Sequence, residues 1–421
     1  MSPTHSSGEI GQTGESYGSI TAYRVAALSP PHLKTIVPTV SPTNIYSEWV
    51  YPGGVPSDTA MATWALESPT ISLDDHARTH AIFKDHPLFD DYWKQIVTTS
   101  KLADVKVPAL HIGGYFDIFE NGGFDALTRR PDKTWLLYGP WIHYAFLSVP
   151  GQEADPNNPN AGSPDDIVTT ASVLQWFDHW LSDDNADAQL PPSRVTSYES
   201  NSIDATGRWT AFDQWPATTS DTRRLFLTQD KALSDTAPDS TRTRYAVNPL
   251  DGPSPAILGT VPTDSDQVQA MSETKLANDN GRYGALDPRS TFTLPAFEED
   301  ATIAGPATLH VNASTTAPDT YFVSTLEVVT PDGKVLPVEA GYLRAQLRDG
   351  LERAVPVTPD EPHDYTIELG QTHWRFKAGE QLRVTLSSGD APKISSTAPA
   401  GIVTINHGSG TFVDLTVLPP Q

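Results

Sequence analysis

One pentapeptide constrains this chain more than any other feature. Gly14-Glu15-Ser16-Tyr17-Gly18 fits G-x-S-x-G, a pattern in which small residues let a strand turn sharply into a helix and leave the central hydroxyl at the tip. The flanks agree with that geometry. Residues 10–13 form a short extended segment, and Ile20, Val25, Ala26 and Leu28 follow at helix-like spacing until Ser29-Pro30-Pro31 stops the pattern. An ordinary glycine-rich turn would share the pentapeptide, so the order strand, turn, helix carries the weight.

Further short apolar runs at residues 33–38, 109–113 and 134–138 are bounded by turn residues and alternate with helical patterns, which predicts a parallel sheet. Residues 46–105, rich in aromatics and histidine, are too long for a simple crossover and are expected to form a cap at the carboxyl end of that sheet. Ser163-Pro164-Asp165-Asp166 opens a predicted helix whose Ile167, Ala171, Leu174, Phe177 and Leu181 share one face. Beyond Pro191 the texture changes to alternating strands: Leu309, Val311 and Ala313, then 322–329, the turn Pro331-Asp332-Gly333, and Leu382, Val384 and Leu386. The expected division is an α/β domain of residues 1–45 and 106–216, the cap at 46–105, and an all-β jelly-roll sandwich at 217–421.

With no cysteine in 421 residues, disulfides, thiolate metal sites and cysteine nucleophiles are excluded. A serine hydroxyl is a weak nucleophile at neutral pH and needs a base, itself oriented by a carboxylate. Asp117 follows the strand 109–113 in Gly113-Gly114-Tyr115-Phe116-Asp117, and His143 follows 134–138 in Gly139-Pro140-Trp141-Ile142-His143. Both stand past strand ends, where α/β sites are built, and the order Ser, Asp, His is that of an α/β-hydrolase. Each singly has a bland reading, as a helix N-cap or a loop histidine; together with the elbow they make a triad. His111 is expected inside its strand, and His76, His80 and His86 lack a carboxylate at a metal-site spacing, so no metal or other cofactor is expected. Tyr115, Phe116 and Trp141 beside the triad, with Trp93 in the cap, are candidates for a substrate pocket.

Acidic residues (52) outnumber basic ones (28), a formal charge of -24 that argues against a nucleic-acid partner. No run approaches a membrane span and the first residues lack the features of a signal peptide, so a soluble, cytoplasmic protein is the default expectation.

These residues resemble the cocaine esterase and X-prolyl dipeptidyl-peptidase (S15-type) hydrolases, a family that also includes α-amino-acid ester hydrolases and glutaryl acylases. The resemblance rests on GQTGESYGSIT, HPLFDDYWKQ, VPALHIGGYFDIFENG and LLYGPWIHY, and later on LFLTQDKALS, ATIAGPATLHVNASTTAPDTYFVSTLEVVTPDGK and GEQLRVTLSSGDAPK. It implies Ser16 as nucleophile, Asp117 as triad acid, His143 as base, a helical cap and a carboxyl-terminal jelly roll. It also implies an oxyanion hole that uses the Tyr17 backbone N–H together with a tyrosine hydroxyl from strands preceding the elbow. The family pattern is G-x-S-Y-x-G, and Ser19 stands where the last glycine is usual. Because the elbow begins about ten residues in, the α/β-hydrolase domain is expected to be N-terminally truncated.

The implied activity is cleavage of a small-molecule ester, amide or short peptide through an acyl-enzyme, dipeptidyl-peptidase chemistry included; homo-oligomers are compatible with the sequence. The alternative is a catalytically impaired fragment whose sandwich half binds a glycan or a partner chain.

Overall fold

The computed structural model describes residues 8–57, 72–141, 143, 170–182, 190–201, 207–250, 286–391, 393–395 and 397–420. The chain divides into two compact units, one of residues 1–48 and 95–218, the other of residues 49–94 and 219–421.

The first unit is built on a sheet in which β1 (Ile10–Glu15), β2 (Leu33–Thr39), β3 (Ala109–Gly114), β4 (Thr134–Gly139) and β5 (Val195–Asn201) run parallel in that order. β6 (Arg208–Phe212) adds antiparallel to β5. β3 and β4 are buried at every position, as strands covered on both faces must be. The period of two assigns the faces. Leu110, Ile112, Trp135 and Leu137 meet Trp176 of α3 (Thr170–Leu181) on one side. On the other, Ala109 packs with Tyr23 and Ala26 of α1 (Tyr17–Ala27), and Leu136 and Tyr138 with Phe124 and Leu127 of α2 (Asn121–Arg129).

The predicted start of α3 at Ser163 lies outside the described residues. Within the helix the buried anchor is Trp176, its indole N–H donating to Thr35 Oγ1 at 2.7 Å, with Val173, Phe177 and Trp180 beside it. Leu174, expected on the inner face, is 57% exposed. Three bulky rings at 176, 177 and 180 rotate the helix so that they, rather than the leucine, cover the sheet.

The second unit carries two antiparallel sheets. One orders β10 (Ser290–Thr293), β15 (Gln381–Ser387), β12 (Tyr321–Val329) and β13 (Val335–Arg344). The other contains β14 (His363–Phe376), β11 (Ala301–Thr315), β17 (Phe412–Val417), β7 (Asp221–Leu227) and β8 (Leu233–Ser234), with β16 (Ile402–Asn406) joining β11 to β9 (Arg242–Ala246). Alternate residues Leu309, Val311 and Ala313, and Leu382, Val384 and Leu386, are fully or almost fully buried. Phe322 and Tyr365 meet between the sheets with ring centroids 4.3 Å apart. In residues 49–94 the helix Leu73–Asp85 is capped by Ser72, which accepts from Asp75 N–H.

Candidate active site

The elbow is a place where the backbone pays for position. Ser16 has φ 53° and ψ -118°, outside the ordinary range of a residue with a side chain. Its N–H donates to Thr39 O at 3.0 Å, and its carbonyl accepts from Ser19 N–H at 3.0 Å and Ile20 N–H at 3.3 Å. These bonds fix the strand-to-helix reversal. Gly14 is required, because a Cβ there would lie 2.3 Å from the Gly18 carbonyl oxygen; at Gly18 a Cβ would meet nothing within 4 Å. Ser19 is fully buried and its hydroxyl also donates to the Ser16 carbonyl, which gives this residue its own part in holding the turn.

Asp117 and His143 are carried by the loops after β3 and β4, at the same edge of the sheet. Tyr115 N–H donates to Gly139 O at 3.0 Å and Phe116 N–H to Trp141 O at 3.1 Å, so the loops after β3 and β4 are joined by their backbones. The approach is close enough that a Cβ on Gly114 would sit 2.3 Å from Trp141 O. Asp117 Oδ1 accepts from Phe119 N–H at 2.6 Å, and Oδ2 lies 2.8 Å from His143 Nδ1. His143 Nε2 lies 3.0 Å from Ser16 Oγ. Since a carboxylate only accepts, the neutral imidazole carries its proton on Nδ1 and leaves Nε2 as acceptor for the serine hydroxyl. The side chains of His143 and Asp117 are 7% and 1% exposed.

The structure therefore brings Ser16, Asp117 and His143 together, and helix α1 begins at Tyr17 with its N-terminal amides at the elbow. Two neighbours have no sequence signal of their own. The Phe119 ring stands edge-on to His143, with centroids 5.2 Å apart and planes at 83°. Glu15 ends β1 and interacts electrostatically with both His143 and Asp117; burial first, then Asp117, pushes its carboxyl above the ordinary value, against the pull of His143.

The pocket candidates are placed differently. Tyr115 is buried, its hydroxyl 2.7 Å from Ser197 Oγ and its ring against Phe124 and Tyr138. Trp141 is fully buried against the Trp209 ring. Trp93, in the second unit, is fully buried beside Tyr51 and Phe83, with its indole N–H on His86 O at 2.8 Å. Phe116 is half-buried. His111 lies inside β3 with Nδ1 2.9 Å from the Tyr23 hydroxyl. Among the described residues, no three His, Asp or Glu side chains are grouped to hold a metal ion, and no helix is long and apolar enough to cross a membrane.

Solved structures share this architecture. A CocE/NonD family hydrolase from Staphylococcus aureus is 19% identical with a TM-score of 0.73, covering 98% of this chain and 73% of that one. An α-amino acid ester hydrolase is 19% identical with a TM-score of 0.73, over 97% of this chain and 76% of its own. The fold is thus an α/β-hydrolase with a carboxyl-terminal β-sandwich. The family model of the X-Pro dipeptidyl-peptidase C-terminal non-catalytic domain matches residues 185–411, more than half of the chain, and that of X-Pro dipeptidyl-peptidase (S15 family) matches residues 2–82 and 65–145. The chain belongs to the X-Pro dipeptidyl-peptidase (S15) family of hydrolases. Cocaine esterase of Rhodococcus is 22% identical over 94% of this chain and 75% of its own length. Two mycobacterial relatives are longer, and the chain spans 52% of their length.

Proposed function

We propose that this protein hydrolyses an ester or amide of a small acyl or aminoacyl substrate through an acyl-enzyme on Ser16. The observation that carries the reading is the single imidazole 3.0 Å from Ser16 Oγ on one side and 2.8 Å from Asp117 on the other. His143 takes the hydroxyl proton as Oγ bonds to the substrate carbonyl carbon. Asp117 stabilises the imidazolium so formed, and the Tyr17 N–H donates to the oxyanion, a contact of a kind worth about 100- to 1000-fold in turnover. The tetrahedral centre collapses, the bond to the alcohol or amine breaks, and His143 returns the proton to the leaving group. Water then attacks the acyl-enzyme, with the same imidazole accepting its proton and passing it to Ser16 as the acid departs.

Phe116, half-buried at the start of the acid loop, is assigned to the substrate's acyl side, with Tyr115 and Trp141 supporting that loop and its neighbour from beneath. Trp93 is left to the cap's own packing. The names of the relatives span esters and X-Pro peptides, so both p-nitrophenyl esters and X-Pro p-nitroanilides are the substrates to try. Turnover that disappears in Ser16→Ala, with an unchanged melting temperature, is the expected result; turnover that survives this substitution refutes the reading.

A further inference from the structure

The loop that carries Asp117 is bonded at both ends to the strands beside it. At its start Tyr115 N–H donates to Gly139 O at 3.0 Å, and the Tyr115 hydroxyl lies 2.7 Å from Ser197 Oγ of β5. At its end the Tyr138 hydroxyl donates to Glu120 O at 2.9 Å, and the same hydroxyl oxygen accepts from Gly123 N–H of α2 at 3.0 Å. Tyr138 belongs to β4, the strand whose loop carries His143. Glu120 N–H donates in turn to Asp117 O at 3.3 Å, and Asp117 Oδ1 accepts from Phe119 N–H at 2.6 Å. One turn of backbone therefore links the tyrosine hydroxyl to the acid. The ring itself is confined: Tyr138 is fully buried, a Cβ on Gly113 would lie 2.3 Å from its Cζ, and a Cβ on Gly123 would lie 2.4 Å from its hydroxyl oxygen. It packs against Phe124 and Tyr115, with ring centroids 4.3 and 5.5 Å away. A phenylalanine would fill the same volume, so burial alone does not call for the hydroxyl. What the hydroxyl adds is two directed bonds, one to the end of the acid loop and one to the first turn of α2.

We propose that Tyr138 is a positioning residue, whose hydroxyl pins the acid loop to the strand of the base and so keeps Asp117 in register with His143. This rests on the reading of Ser16, Asp117 and His143 as a triad. Tyr138 lies inside the domain and acts through Asp117, so its loss is read in the chemical step and not in substrate binding. A catalytic group displaced by about 1 Å costs up to about 100-fold. The loop of Tyr138→Phe is still held at Tyr115 and Phe116, and a smaller loss, about tenfold in kcat, is expected.

The test measures kcat and KM on a p-nitrophenyl ester, well below the melting transition, for the parent, Tyr138→Phe, Asp117→Asn and the double variant. Tyr245→Phe serves as control, since Tyr245 is also fully buried and its hydroxyl donates to Ser387 O at 3.2 Å in the second unit. Both tyrosine variants are expected to melt a few degrees lower. Only Tyr138→Phe is expected to lose kcat, with KM within about twofold of the parent. In the Asp117→Asn background the same substitution is expected to cost less than about twofold, because the group it positions is already gone. Parental kcat in folded Tyr138→Phe, equal losses in the two backgrounds, or a loss confined to KM each overturn the inference. Gly123→Ala displaces the hydroxyl without removing it and is expected to give the same kcat signature; should Tyr138→Phe fail to fold, parental kcat in Gly123→Ala overturns the inference instead. If any of these results is accompanied by turnover lost in Ser16→Ala, the proposed function stands and only the role of Tyr138 falls. Turnover that survives Ser16→Ala overturns the reading of the site and this inference with it.

Discussion

Asp117→Asn isolates what the carboxylate does. In the parent, Phe119 N–H holds Oδ1 at 2.6 Å and His143 Nδ1 lies 2.8 Å from Oδ2. A carboxamide of the same shape keeps its oxygen on the Phe119 amide, because an NH2 group cannot accept there, and so turns its NH2 toward the imidazole. Facing a donor, Nδ1 must become an acceptor, which moves the imidazole proton to Nε2 and points it at Ser16 Oγ. The base is then in the wrong tautomer, and the charge that would stabilise the imidazolium is gone. A carboxylate removed from such a triad costs about 10,000-fold in kcat, which at about 1.4 kcal/mol per tenfold is about 5 kcal/mol of transition-state stabilisation. The assay is kcat/KM on a p-nitrophenyl ester, paired with thermal melts. With the Phe119 contact preserved, the variant is expected to melt close to the parent. A folded Asp117→Asn protein within tenfold of parental kcat/KM would refute the assignment of the acid.

Gly14→Ala places a methyl group 2.3 Å from the Gly18 carbonyl oxygen, a backbone atom that the Ser16 hydrogen bonds keep in place. It is expected to lower kcat about 100-fold and stability by about 1–3 kcal/mol, whereas Gly18→Ala is expected to fold normally in a thermal melt. His111 is fully buried, and burial pushes its imidazole down to about 3. Its contribution to stability is therefore complete above the ordinary histidine value of about 6.5 and is lost as pH falls from there toward about 3, with a slope of up to about 1.4 kcal/mol per pH unit. Urea midpoints at several pH values are expected to show this acid sensitivity in the parent and a flatter dependence in His111→Gln.

The features that sequence reasoning reached are those with a local cause. The elbow is legible because Gly14 and the reversed φ of Ser16 are dictated within five residues, and the sandwich strands because Leu309, Val311 and Ala313 alternate with polar neighbours. Asp117 and His143 are legible through their place after strand ends, since the parallel sheet collects such loops at one edge. What was missed depends on packing between distant segments. Leu174 fits the periodic face of its helix, yet three aromatic rings win the contact with the sheet. Phe119 becomes part of the site only because the acid loop folds it onto His143. Glu48 carries no local signal of its surroundings, yet its Oε1 accepts from the Thr43 and Asn44 amides, and burial raises its carboxyl well above the ordinary value.

The central claim is that Ser16 is the nucleophile. A fluorophosphonate adds covalently to an activated serine, and the product is read by intact mass and by peptide mapping. One adduct per chain, mapped to Ser16, formed in parallel with loss of ester turnover and absent from Ser16→Ala, is the predicted result. An adduct at another residue, or undiminished turnover after complete labelling of Ser16, would contradict it.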